Sequence, residues 1–136
     1  MNRRVGVQLL CVLLLAAACR NACGQADLEK ALRQSPVQGG LCVILGPADA
    51  QLAAGVARRG PLLVHCLSPD AAQVNAARQS LLEQGLYGTV AVEKWEGATL
   101  PYVDNLVSLL IVIEPRDVPR AEMLRVLRPD GAMLLK

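Results

Sequence analysis

The sequence predicts an α/β domain with a parallel sheet, and three observations carry that expectation. Leu41–Leu45, Leu62–Leu67 and Leu106–Ile113 are near-continuous apolar runs, the pattern of strands buried on both faces. Segments with apolar residues four apart lie between them. Gly, Pro and Asp punctuate the junctions, so strand and helix patterns succeed one another as crossover connections require.

Taken in order, Arg3 and Arg4 precede an uncharged stretch from Val5 to Cys19 rich in Leu, Val and Ala. A positive start and a short apolar run are the marks of a secretory signal, and the run is shorter than the roughly 20 residues that span a bilayer. Residues 1–24 are therefore expected to be an export signal rather than an uncleaved anchor or a buried helix. Cleavage beside Ala22-Cys23-Gly24, or lipid attachment at Cys19, fits the local residues. This places the protein in the periplasm or cell envelope, touching a membrane only through the signal or a lipid.

Residues 25–37 read as a short lead-in helix, with Leu28 and Leu32 on one face, followed by a linker stopped at Ser35-Pro36. Residues 38–136 then form the domain. Its first strand, Leu41–Leu45, ends at Gly46-Pro47, and a helix from Asp49 to Arg59 follows, with Gly60 as its C-terminal stop. After the second strand, Ser68-Pro69-Asp70 predicts a helix start with the Ser68 hydroxyl as cap. That helix sets Val74, Ala77 and Leu81 on one face and stops at Gly85. Thr89–Trp95 is the third strand, Leu106–Ile113 the fourth, Arg120–Leu127 a helix with Met123, Leu124 and Leu127 spaced as a core face, and Ala132–Leu135 the fifth strand.

Beyond the signal, 11 basic residues face 12 acidic ones, and Trp95, Tyr87 and Tyr102 are the aromatic residues. No basic run or aromatic platform for nucleic acid is present. Cys42 and Cys66 lie inside apolar runs and are expected as buried free thiols, although export permits a disulfide. One His and two separated Cys do not make a metal site. His65 and Cys66 should point to opposite faces of their strand, which argues against a Cys–His pair, and His65 reads as a packed residue. Asp104-Asn105 reads as a turn.

Open parallel sheets bind ligands beyond the carboxyl ends of their strands. The first such corner is Gly46-Pro47-Ala48-Asp49-Ala50, where small residues admit a ligand close to the backbone or simply pack a strand–helix corner. Residues 43–50 (VILGPADA) are similar to motif I of class I S-adenosylmethionine-dependent methyltransferases, and residues 64–69 (VHCLSP) resemble their second strand and helix cap. Residues 96–105 (EGATLPYVDN) look like the acidic stretch of the type 11 members, and residues 124–131 (LRVLRPDG) resemble the turn before their fifth strand.

The resemblance covers about residues 38–136 and implies a Rossmann-like sheet of five strands ordered 3-2-1-4-5 with flanking helices, truncated relative to the family's seven. It also suggests the methyltransferase-like module attached to β-propellers in exported bacterial proteins, with further domains C-terminal to Lys136. It implies S-adenosylmethionine as cofactor, with Gly46, Ala48 and Asp49 at the first turn, Cys66 at the ribose position, and Glu96 and Gly97 near adenine. Trp95 is placed to stack on the base, and Asp70 could share the polar contacts.

The pattern also departs from the family. Ile44 stands where an acid is usual, Ala48 and Ala50 replace glycines, and Cys66 replaces the ribose-binding carboxylate. A thiol is a weak acceptor and cannot bridge two hydroxyls. Two functions follow from the resemblance: methyl transfer to an acceptor the sequence does not specify, or a non-catalytic scaffold or interaction module in an exported protein. A dinucleotide oxidoreductase is disfavoured, because the first turn lacks G-x-G-x-x-G and strand two lacks its acid.

Overall fold

A computed structural model describes residues 26–136; the expected export signal and Cys19 lie outside the described residues. Residues 26–34 are helical and precede a compact unit, Ser35–Lys136. On that helix Leu28 and Leu32 are buried and Arg33 pairs with Glu29 one turn away.

The second unit runs β1 (Gly40–Leu45), α1 (Ala50–Ala57), β2 (Leu62–Ser68), α2 (Ala71–Glu83), β3 (Val90–Lys94), β4 (Val107–Val112), α3 (Arg120–Val126) and β5 (Leu127–Leu135). The five strands form one parallel sheet in the order β3-β2-β1-β4-β5. The chain therefore starts at the centre, crosses out to β3, returns past β1 and continues to β5. That reversal of direction is the feature that opens a crevice between β1 and β4 in sheets of this kind.

Strand alternation sorts the core. Val43, Leu45, Leu67, Leu110 and Val112 face one side and pack with Val118, Met123 and Val126 from the segment around α3. Cys42, Ile44, Val64 and Cys66 face the other side, where α1 and α2 cover β2 and β3. Val74, Ala77 and Leu81 of α2 are buried, as the spacing predicted. Cys42 and Cys66 are buried and free.

Four local expectations are corrected. The cap of α2 is Asp70, whose carboxylate accepts from the Ala72 and Gln73 amides at 2.8 and 3.2 Å. Ser68 instead ends β2, and its buried hydroxyl has no hydrogen-bond partner among the described residues. Strand pairing carries the extended backbone two residues further than the cap signal suggested. Asp70→Ala is accordingly expected to cost about 1 kcal/mol, whereas Ser68→Ala costs close to nothing, since no bond is lost; urea midpoints of the two variants check this.

Gly60 does not close α1, which ends at Arg58 in a right-handed conformation. On α3 the buried residues are Met123 and Val126, while Leu124 is 49% exposed. The fifth strand starts at Leu127 rather than Ala132, because residues 128–131 bulge out between two stretches of pairing with β4.

Candidate functional site

The carboxyl ends of β1, β2 and β4 meet at the Gly46 corner. Gly46 has φ +137°, and its amide donates to the Leu67 carbonyl at 3.1 Å. A β-carbon here would lie 2.9 Å from Ile113 Cβ and 3.0 Å from the Glu114 nitrogen. The segment leaving β4 is pinned against the same spot, since the Ile113 and Glu114 amides both donate to the Leu45 carbonyl, at 2.9 and 3.3 Å. Glycine is thus demanded by the close approach of two chain segments, before any ligand is considered.

Asp49 is the cap of α1; one carboxylate oxygen accepts from the Gln51 and Leu52 amides at 2.9 and 3.0 Å. Ala48 lies beside it, half-buried. Cys66 is 3% exposed, and burial, reinforced by the negative charge of Asp49, pushes its thiol up to about 12. A thiol so held is neutral near pH 7 and offers no charged acceptor. Asp49 thus lies near enough to Cys66 for its charge to act on the thiol, but its carboxylate is already engaged by the helix and the sulfur is inside the core.

Glu96 is exposed just beyond the carboxyl end of β3 and pairs with Lys94 at 3.4 Å. Gly97 packs on the Trp95 indole, where an added β-carbon would sit 3.2 Å from the ring. Trp95 itself is partly buried against the hydrophobic cluster, and its amide donates to the Ser68 carbonyl. Gly46, Pro69, Trp95, Pro115 and Arg116 line a crevice of about 10 Å³ at this corner. Pockets for small ligands are typically about 300–1,000 Å³. Arg116, from the β4–α3 segment, holds a left-handed conformation at φ +47° while forming this wall.

Two arrangements were not legible in the sequence. His65, on the α3 side of the sheet, receives the Tyr102 hydroxyl at Nδ1 (2.7 Å), and its Nε2 lies 3.2 Å from Glu93. In the neutral ring Nε2–H donates to Glu93 and Nδ1 accepts from Tyr102. Burial, with the negative charge of Glu93 behind it, raises the Tyr102 pKa. That direction opposes nucleophilic use of the phenol, so the chain of three reads as a strut fixing the loop before β4 to β2. The partners lie 28 and 37 positions from His65, and no local pattern announces them.

The second arrangement centres on Arg125. Its guanidinium binds Glu122, Asp104 and the carbonyls of Leu100 and Tyr102. Glu122 in turn accepts from the Leu100 amide at 2.8 Å, and the Arg125 carbonyl accepts from the Asn105 amide. The two motif-like stretches, 96–105 and 124–131, are thus tied to each other. Asn105 adopts φ +59°, consistent with the predicted turn.

Among the described residues no group of three or more His, Cys, Asp or Glu could hold a metal ion, and no helix is long and apolar enough to cross a membrane.

No family model and no curated sequence matches this chain. Solved structures do. Geranyl diphosphate C-methyltransferase from Streptomyces coelicolor A3(2) superposes with a TM-score of 0.72 at 17% identity, over 82% of this chain and 43% of that one. A SAM-dependent methyltransferase from Aquifex aeolicus gives 0.60 at 22% identity, over 76% and 59%. The 4+2 cyclase SpnF gives 0.63 at 23% identity, over 74% and 40%. The chain thus spans between 40% and 59% of these structures. The likeness establishes the class I methyltransferase fold. Reaction is a separate matter, since methyltransferases and a cyclase share it.

Proposed function

We propose that this chain is a methyltransferase-type Rossmann domain serving as a non-catalytic structural or interaction module, exported on residues 1–24. The observation that carries this reading is the state of the donor corner: a crevice of about 10 Å³ walled by Trp95 and Arg116. The chemistry of the donor set points the same way. Two ribose hydroxyls call for a charged, bridging acceptor, and the residue at that position is a buried neutral thiol. Glu96, the adenine-side candidate, is exposed and pairs with Lys94 at the surface. These residues do not fit S-adenosylmethionine.

The second reading is an active S-adenosylmethionine-dependent methyltransferase of the type 11 kind. It is favoured by the Gly46 corner lying at the switch in strand order, with Asp49 near Cys66. We further propose, from the sequence resemblance, attachment to a β-propeller.

Titration calorimetry of the full chain with S-adenosylmethionine separates the two. The module reading expects no saturable heat up to about 1 mM cofactor, the range of the weakest useful affinities. A saturable isotherm at or below that concentration overturns it in favour of the enzyme.

A further inference from the structure

At the opposite, amino-terminal rim of the sheet lies a larger space. A hollow of about 330 Å³ is bounded by residues 36–39, which lead into β1, and by Arg128 and Asp130 from the bulge in β5. Its volume reaches the range of small-ligand pockets.

Arg128 is fixed there from two sides. Its Nε and Nη2 donate to the two oxygens of Asp130, and Nη1 donates to the hydroxyl of Ser108 at 3.2 Å. Ser108 is 2% exposed, so the guanidinium is anchored into the sheet rather than waving in solvent. Gly40 makes room for this: with φ +107°, a β-carbon there would come within 2.2 Å of the Ser108 hydroxyl oxygen. A guanidinium carries five N–H groups in a rigid plane. Three are committed, which leaves one on Nη1 and one on Nη2.

Such a pair matches the two oxygens of a carboxylate. Asp130 neutralises the net charge of the site, so a monoanion is accommodated better than a dianion. Its own carboxyl is held at about 2 by the Arg128 hydrogen bonds and therefore stays ionised at neutral pH. Gln38, exposed, lines the same hollow and carries a side-chain amide that can donate.

We propose that this hollow is a binding site for the carboxylate of a small organic monoacid, held end-on by Arg128 with Gln38 at its rim. The site is independent of the Gly46 corner and stands whether or not S-adenosylmethionine binds.

Acetate, titrated into the ¹⁵N-labelled full chain at constant ionic strength, is the probe. Saturable shifts of the residue 36–39 and 128–131 amides are expected, with a dissociation constant on the order of 1–10 mM. Arg128→Lys should weaken binding at least about tenfold, because an ammonium cannot present two parallel donors. Gln38→Trp, which fills the hollow from an exposed position and leaves Arg128 intact, should abolish it. Inorganic phosphate should bind more weakly than acetate. No saturation by about 100 mM acetate, equal or tighter binding of phosphate, or undiminished binding in the Gln38→Trp variant would each overturn the assignment.

Discussion

Gly46→Ala should destabilise the domain by roughly 3 kcal/mol, combining left-handed backbone strain with overpacking. The φ of +137° is one that residues with a β-carbon rarely adopt. The new methyl would press on Ile113 Cβ at 2.9 Å and on the Glu114 backbone at 3.0 Å. Neither neighbour yields easily, because both amides there are hydrogen-bonded to Leu45 and Gly46 is bonded to Leu67. Domains of this size are stable by only about 5–15 kcal/mol, so a large part of the margin is at stake.

Gly55 supplies the control. It is exposed on α1 with nothing within 4 Å of an added β-carbon. Gly55→Ala should therefore stabilise by about 0.5–1 kcal/mol through helix propensity and reduced chain entropy. Urea unfolding of both variants reads the difference. A Gly46→Ala midpoint equal to the parent's would mean that the strand ends are not as closely joined as described.

Arg125→Met is expected to release the loop between β3 and β4 while leaving the sheet paired. Methionine retains much of the apolar stem but none of the guanidinium's five hydrogen bonds, three of which clamp residues 100–104 to α3 while two hold Glu122 in place. Amide exchange at Leu100, Tyr102 and Asn105 should quicken by more than about tenfold, with the β1 and β4 amides little changed, as local opening predicts. Uniform loss of protection over the whole sheet would instead make Arg125 a global element.

The same clamp carries a pH signature. Hydrogen bonding from Arg125, assisted by the Leu100 amide, holds the Glu122 carboxyl below its ordinary 4.5. A depressed folded-state pKa contributes stability that is fully present above the unfolded value and is lost as pH falls through the folded one. Stability should therefore decline below about pH 4.5, and Arg125→Met should flatten that part of the profile. An identical acid limb in parent and variant would remove Glu122 from the account.

The legible part of the fold was the part written in contiguous residues. Leu41–Leu45 and Leu106–Ile113 read as buried strands because parallel strands covered on both faces need unbroken apolar runs. Val74, Ala77 and Leu81 read as one helix face because 3.6 residues make a turn. The motif-like stretches were legible too, although 96–105 and 124–131 proved to be the two halves of a structural clamp around Arg125.

Sequence by itself determined the strand and helix sequence, the buried state of Cys42 and Cys66, and, through resemblance, the sheet order. Tertiary structure alone decided what occupies the strand ends and which polar groups meet: Trp95 and Arg116 closing the Gly46 corner, Tyr102 and Glu93 on His65, Ser108 beneath Arg128. The division has a physical cause. Apolar periodicity is a local response to burial and repeats within a few residues. A crevice or a hydrogen-bonded cluster is made by groups many positions apart, and it exists only once the packing of the sheet fixes their distances.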